Sequence, residues 1–156
     1  MEGALGSMTE RQWIWINVGN IIAFLMFVLL SLSTEGQRAI VVLTETIGVL
    51  ALVFAIITLI YGKAEFKWFA VCGIACLAPW VVFAIGYETG ITATTNYYHL
   101  GFMLFYIVMI ASIVFLKISF QKLHDEFKLI PVFLLFFHAI LLIYIMVIHI
   151  WWLLPF

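Results

Sequence analysis

Long apolar runs separated by short polar segments make up most of the chain. A helix needs about 20 apolar residues, at about 1.5 Å each, to cross roughly 30 Å of hydrocarbon. Five runs reach that length, and charged or turn-forming residues bound each of them. We therefore predict an all-α integral membrane protein in which five transmembrane helices form one bundle and one domain. The predicted spans are about 13–33, 39–61, 68–86, 99–116 and 129–153.

Two of the three prolines fall within predicted spans. Pro131 lies in the first turn of the fifth span, where a missing N–H costs little. Pro79 lies inside the third span, where it removes a hydrogen bond of the helix and is expected to kink it.

The composition excludes a soluble fold. Hydrophobic residues make up 67% of the 156 residues, charged residues only 10%, and the mean hydropathy is +1.23. Folding buries at most roughly 70% of the surface of a chain of this length, so the excess apolar surface requires lipid. Seven Lys and Arg against eight Asp and Glu give a net charge of −1 without a basic patch, which excludes a nucleic-acid partner. The expected partners are the bilayer and other membrane subunits or further copies of the chain.

Positive charge predicts the orientation in the membrane. Six of the seven Lys and Arg fall on the side that holds the N-terminus, the second loop and the fourth loop, and only Arg38 falls on the other. Because Lys and Arg accumulate on the side that is not translocated, we predict the N-terminus inside and the C-terminus outside.

Glu45 is the only carboxylate well within a predicted span, about six residues or roughly 9 Å from the outer end at Ala39. An ionisable group in hydrocarbon is costly, which makes Glu45 a candidate proton carrier or cation ligand. Alternatively, it pairs with Arg38, two turns earlier on the same face, or reaches the outer headgroups.

Small residues form a stripe on the second span, at intervals of four, three, four and three residues. Such a face lets another helix approach closely, which predicts a packing surface. Its members are Thr44, Gly48, Ala51, Ala55 and Thr58. On the first span, Asn17 and Asn20 lie three residues apart, which predicts hydrogen bonds between helices.

Histidines mark the last two spans. His138 and His149 lie eleven residues apart, nearly on one face of the fifth span, and His99 begins the fourth. Because consecutive spans run antiparallel, His99 and His149 are expected at one depth, in the outer third of the membrane where Glu45 also falls. His124 lies in a charged inner loop and is interpreted as solvated.

Three kinds of site fit these residues. Imidazoles of His99 and His149, with the thioether of Met103 as a soft donor, are ligands for zinc, copper or non-haem iron. The same two histidines on facing helices could hold one b-type haem. A proton or ion path could instead use Glu45 with His138, His149 or His99. The plain alternative is that these histidines are amphipathic interface residues.

The leading functional prediction is a small polytopic subunit of a larger membrane assembly, with helix packing as its main task. Polar chemistry in the spans is sparse and the loops are short, which argues against most enzymes. One alternative is a homo-oligomeric ion or proton channel or transporter that uses Glu45 and the intramembrane histidines. The other is a redox membrane subunit in which His99 and His149 bind haem or a metal ion. The sequence does not identify the cofactor.

Overall fold

The computed structural model describes residues 10–34, 36–62, 64–123 and 127–154. Within these residues it is built from helices without strands: α1 (Glu10–Ser33), α2 (Arg38–Tyr61), α3 (Ala64–Glu88), α4 (Tyr98–Lys122) and α5 (Leu129–Leu153). All five are long and apolar enough to cross a membrane. The protein is therefore an all-α, multi-pass integral membrane protein, as the apolar runs predict.

The helix bounds lie within four residues of the predicted spans except at the end of α4, which continues to Lys122 rather than ending near residue 116. The buried face of α4 explains the difference, because it continues at helical spacing beyond the apolar run: Phe105, Met109, Ser112, Leu116 and Ser119. Lys122 then lies in the last turn, where a cation interacts favourably with the helix dipole. A span defined by hydropathy ends at the first lysine, Lys117, whereas the buried face of the helix continues to Ser119.

The end of α3 is fixed by a glycine. Gly90 has a φ of +70°, a left-handed conformation that glycine adopts without strain. The N–H of Ile91 donates to the carbonyl of Gly86 at 3.0 Å, so a carbonyl of the last turn gains a partner. The chain then leaves the helix and runs through a short segment of turns to the start of α4 at Tyr98.

Two compact units make up the chain, Met1–Gly73 and Ile74–Phe156, and the boundary between them falls within α3. In the first unit α1 packs against α2, and in the second α4 packs against α5. Both prolines of the spans are buried in the second unit, Pro131 in the first turn of α5 and Pro79 inside α3. The single domain and the side of the membrane on which each terminus lies stay predictions.

Candidate functional site

The small-residue stripe is the buried face of α2: Thr44, Gly48, Ala51, Ala55 and Thr58 are all buried. Helix α1 lies against it. The hydroxyl of Thr44 donates to the carbonyl of Ile40 at 2.8 Å and also lies 3.2 Å from the carbonyl of Phe27 on α1. We call this contact, together with Asn17, the α1–α2 seam.

Asn17 joins α1 to α2 through a hydrogen-bond network in which the side-chain donors of Asn17 and Thr58 all have acceptors. Its Nδ2 donates to the hydroxyl of Thr58 at 3.0 Å and to the carbonyl of Trp13 at 2.9 Å. The Thr58 hydroxyl donates in turn to the carbonyl of Phe54 at 2.8 Å. An amide nitrogen carries two hydrogens and a hydroxyl one, so these donors are satisfied. The predicted bond between helices is confirmed for Asn17.

Asn20 does not extend that network. Its Nδ2 is buried and has no hydrogen-bond partner in the described structure. Glu45, one residue after Thr44 on α2, is half-buried. It belongs to the first unit, whereas the histidines of α4 and α5 belong to the second, and its role as a proton carrier or ion ligand stays a prediction.

His138 lies fully buried on α5, and its Nε2 is 3.2 Å from the carbonyl oxygen of Ala75 on α3. That carbonyl lies four residues before Pro79. In an uninterrupted helix the N–H at position 79 would donate to it, but proline has no N–H. An N–H on Nε2 of His138 would replace the hydrogen bond that Pro79 removes.

The second ring nitrogen of His138 also faces a carbonyl, since Nδ1 lies 2.8 Å from the oxygen of Leu134 on the same helix. Donating to both oxygens at once requires both nitrogens to be protonated, because a neutral imidazole has a single N–H. Both nitrogens are thus directed at the backbone. The sequence signal for this contact is a proline inside a span, which leaves a carbonyl for a polar side chain of another span to satisfy.

Rings fill the contact between the start of α4 and the end of α5. We call this set the ring cluster, and it consists of Tyr98, His99, Phe102, Tyr106, His149 and Trp152. The structure brings His99 and His149 together in it, with ring centroids 6.1 Å apart and ring planes at 61°. Trp152 completes the cluster, with its ring nearly perpendicular to that of Phe102 at a centroid distance of 5.4 Å.

His149 is held in one orientation within the ring cluster. Phe102 stacks on its face, with centroids 4.1 Å apart and planes only 8° from parallel. The hydroxyl of Tyr106 lies 3.0 Å from Nδ1. The other ring nitrogen, Nε2, is buried and has no hydrogen-bond partner in the described structure. Phe102 was not identified from the sequence, although it lies one turn after His99.

The remaining candidates lie near this cluster or outside it. Met103 lies one turn after His99 on α4, with 57% of its side chain exposed. His124 lies outside the described residues. Cys72 and Cys76 are buried thiols on one face of α3, in keeping with a packing role. Among the described residues, no group of three or more His, Cys, Asp or Glu side chains could hold a metal ion. The metal, haem and ion-binding roles stay predictions.

The function of the chain has to be inferred from the geometry of these side chains. No protein-family model, curated protein or solved structure matches the chain.

Proposed function

We propose that the protein is a small polytopic subunit of a larger membrane assembly and that its main task is helix packing. The observation that carries this proposal is the hydrogen bond between Asn17 and Thr58 at the buried small-residue face of α2. Small residues let helix backbones approach, and polar side chains then join the helices. This arrangement supports a packing role, because Asn17 and Thr58 are engaged with acceptors inside the protein.

The use of the other polar side chains supports the same proposal. Thr44 is bonded within the α1–α2 seam, and His138 directs both ring nitrogens at backbone carbonyls. A transport path needs polar groups that face a water-filled cavity. The alternative of an ion or proton path through Glu45 loses support where it relies on His138, because that ring already has a structural partner.

Apolar side chains on the outer faces of the spans offer surface to lipid and to partner helices alike. On α2, Val49 and Val53 are exposed on the side opposite the small-residue stripe, and on α5, Ile143 and Val147 are exposed. In a bilayer such surfaces need no further burial. They are therefore the places at which a neighbouring subunit can be detected without disturbing the contacts within each unit.

The test combines native mass spectrometry with site-specific cross-linking in the native membrane. Photoreactive residues would replace Val49, Val53, Ile143 or Val147, one at a time. The proposal expects co-purification at fixed stoichiometry and one partner adduct of constant mass, formed from one helix face and not from the other. A photoreactive residue at the buried Ala51 is the matched control, and it should form no partner adduct.

Two results would overturn this function. The first is a chain that extracts from its membrane as a monomer and forms only lipid adducts at all four positions. The second is a stable homo-oligomer that carries ion or proton flux in liposomes and loses it in Glu45→Gln, which would establish the channel alternative instead.

A further inference from the structure

The Nε2 atom of His149 has the surroundings of a metal ligand. It is buried without a hydrogen-bond partner, whereas nearly all buried polar atoms in proteins have one. Leaving such an atom unsatisfied destabilises the folded state, which calls for a physical explanation. A lone pair on an imidazole nitrogen is a common ligand for transition metals, and an ion bound there would supply the missing partner.

The contacts on the rest of the ring are compatible with the form of histidine that binds metal. The hydroxyl of Tyr106 can accept a hydrogen bond from Nδ1–H at 3.0 Å. A proton on Nδ1 leaves the lone pair of the neutral imidazole on Nε2. Histidines that ligate metals nearly always have such a partner on the other nitrogen, which fixes the tautomer and the ring orientation. The parallel stack of Phe102 adds a second restraint.

His99 is the candidate for a second donor. Its ring centroid lies 6.1 Å from that of His149. Two metal–nitrogen bonds of about 2.0 Å, with the distance from each nitrogen to its ring centre, add to about 6 Å when they lie in line. The centroid separation is therefore of the size that one ion shared by the two rings requires. His99 is exposed, which gives an ion a route to the site from outside the protein.

The donor set narrows the class of metal. Both candidate donors are imidazole nitrogens, and Met103, which carries a thioether, lies one turn from His99 on α4. Calcium and magnesium prefer oxygen ligands, and structural zinc takes four protein ligands. No group of three or more His, Cys, Asp or Glu side chains in the described part of the chain could hold a metal ion. Imidazole with thioether suits copper, and Cu(I) tolerates a low coordination number.

We propose that His99 and His149 form a copper-binding site, with Tyr106 and Phe102 holding His149 in the orientation that binds the ion. The site lies within the second unit, between the start of α4 and the end of α5. It goes beyond the role in helix packing, and it does not depend on whether the protein belongs to a larger assembly.

The experiment is a Cu(I) titration of the full chain in lipid nanodiscs, under reducing conditions, in competition with a chromophoric Cu(I) chelator. The expected result is one Cu(I) per chain, with Zn(II) bound more weakly in a parallel titration. In His149→Phe, which keeps an aromatic ring, stoichiometric binding should disappear. In Tyr106→Phe, which removes only the hydroxyl, affinity should fall about 10- to 100-fold.

The matched control for Tyr106→Phe is Tyr144→Phe, because Tyr144 is an exposed tyrosine on α5 in the same unit. This variant should bind Cu(I) as the parent does. A chain carrying both His99→Phe and His149→Phe sets the background from donors elsewhere, such as the terminal amine. Circular dichroism and elution volume establish that each variant keeps its helices.

Three outcomes would overturn the proposal: no stoichiometric Cu(I) binding by the parent chain, unchanged binding in a folded His149→Phe, or Zn(II) bound as tightly as Cu(I). None of them bears on co-purification with partner subunits, so the copper site and the packing function can fail independently. A folded Tyr106→Phe whose affinity matches that of Tyr144→Phe would contradict the positioning role of Tyr106.

Discussion

The α1–α2 seam and the ring cluster both join two neighbouring helices, but with opposite kinds of side chain. In the seam, α2 presents small residues, and Asn17 and Thr58 donate hydrogen bonds to named acceptors. In the ring cluster, large aromatic side chains separate the helices, and one nitrogen of His149 has no partner. A contact made of small residues leaves little room for a ligand. A contact made of rings can leave a donor atom available, which is why we place packing in the seam and chemistry in the cluster.

The largest expected effect tests how closely the helices approach at the seam. Ala51 is 3% exposed on the buried face of α2, so Ala51→Phe has to displace the side chains that pack against that face. Overpacking of this kind should lower the free energy of unfolding by about 3 kcal/mol. Val53→Phe is the control, because Val53 is exposed on the same helix. Thermal unfolding in detergent micelles, followed by circular dichroism, measures both. Equal stability of the two variants would show that the stripe is not a tight contact.

The next effect tests whether His138 replaces the hydrogen bond that Pro79 removes. His138→Leu should lower the free energy of unfolding by about 2 kcal/mol, because the carbonyl of Ala75 is left buried without a donor. In a Pro79→Ala background the alanine N–H can donate to that carbonyl, so His138→Leu should cost about 1 kcal/mol less.

A double-mutant cycle of these two changes, measured by chemical unfolding in micelles, gives that coupling. Additive effects would mean that His138 acts on stability through its volume alone. The cycle also tests the difference between His138 and His149, two histidines on the same helix. The structure assigns the first to the backbone and leaves the second with an unused nitrogen.

A smaller effect tests the hydrogen bond of the seam. Asn17→Leu should lower the free energy of unfolding by about 1 kcal/mol, and its coupling to Thr58→Val should be about 0.6 kcal/mol, a typical value between membrane helices. Thr46→Val is the matched control, because Thr46 also donates to the carbonyl four residues earlier but is exposed. A coupling of Asn17→Leu to Thr46→Val as large as that to Thr58→Val would argue against a direct bond.

The smallest effect tests the stack that holds His149. Phe102→Leu should lower the free energy of unfolding by about 0.5 kcal/mol, the lower end for an aromatic pair, because the rest of the cluster stays packed. It should also broaden the ring signals of His149 in an NMR spectrum of the labelled protein. Phe115→Leu, an exposed phenylalanine on the same helix, should leave those signals unchanged.

Local properties of the chain could be predicted from its sequence. The five spans follow from the length of apolar runs, and the buried face of α2 follows from residues three and four apart, because both depend only on helix geometry. A hydrogen bond from Asn17 to another helix could be predicted, but its partner on that helix could not. The end of α4 was placed too early, since the charge of Lys117 ends the apolar run, whereas the buried face of the helix continues to Ser119.

Contacts between distant residues were decided by the tertiary structure. His138 and Ala75 lie 63 residues apart, and Tyr106 and His149 lie 43 residues apart. The periodicity of one helix does not identify the histidine that contacts the carbonyl left free by a proline of another helix. Nor does it identify the rings that stack on each other. The sequence by itself determined that the chain is a five-span membrane protein and which faces of its helices are rich in small or polar residues. The tertiary structure decided which nitrogens of His138 and His149 have a partner, because that depends on groups far apart in the sequence: Nε2 of His138 lies 3.2 Å from the carbonyl oxygen of Ala75, whereas Nε2 of His149 is buried without a partner in the described structure.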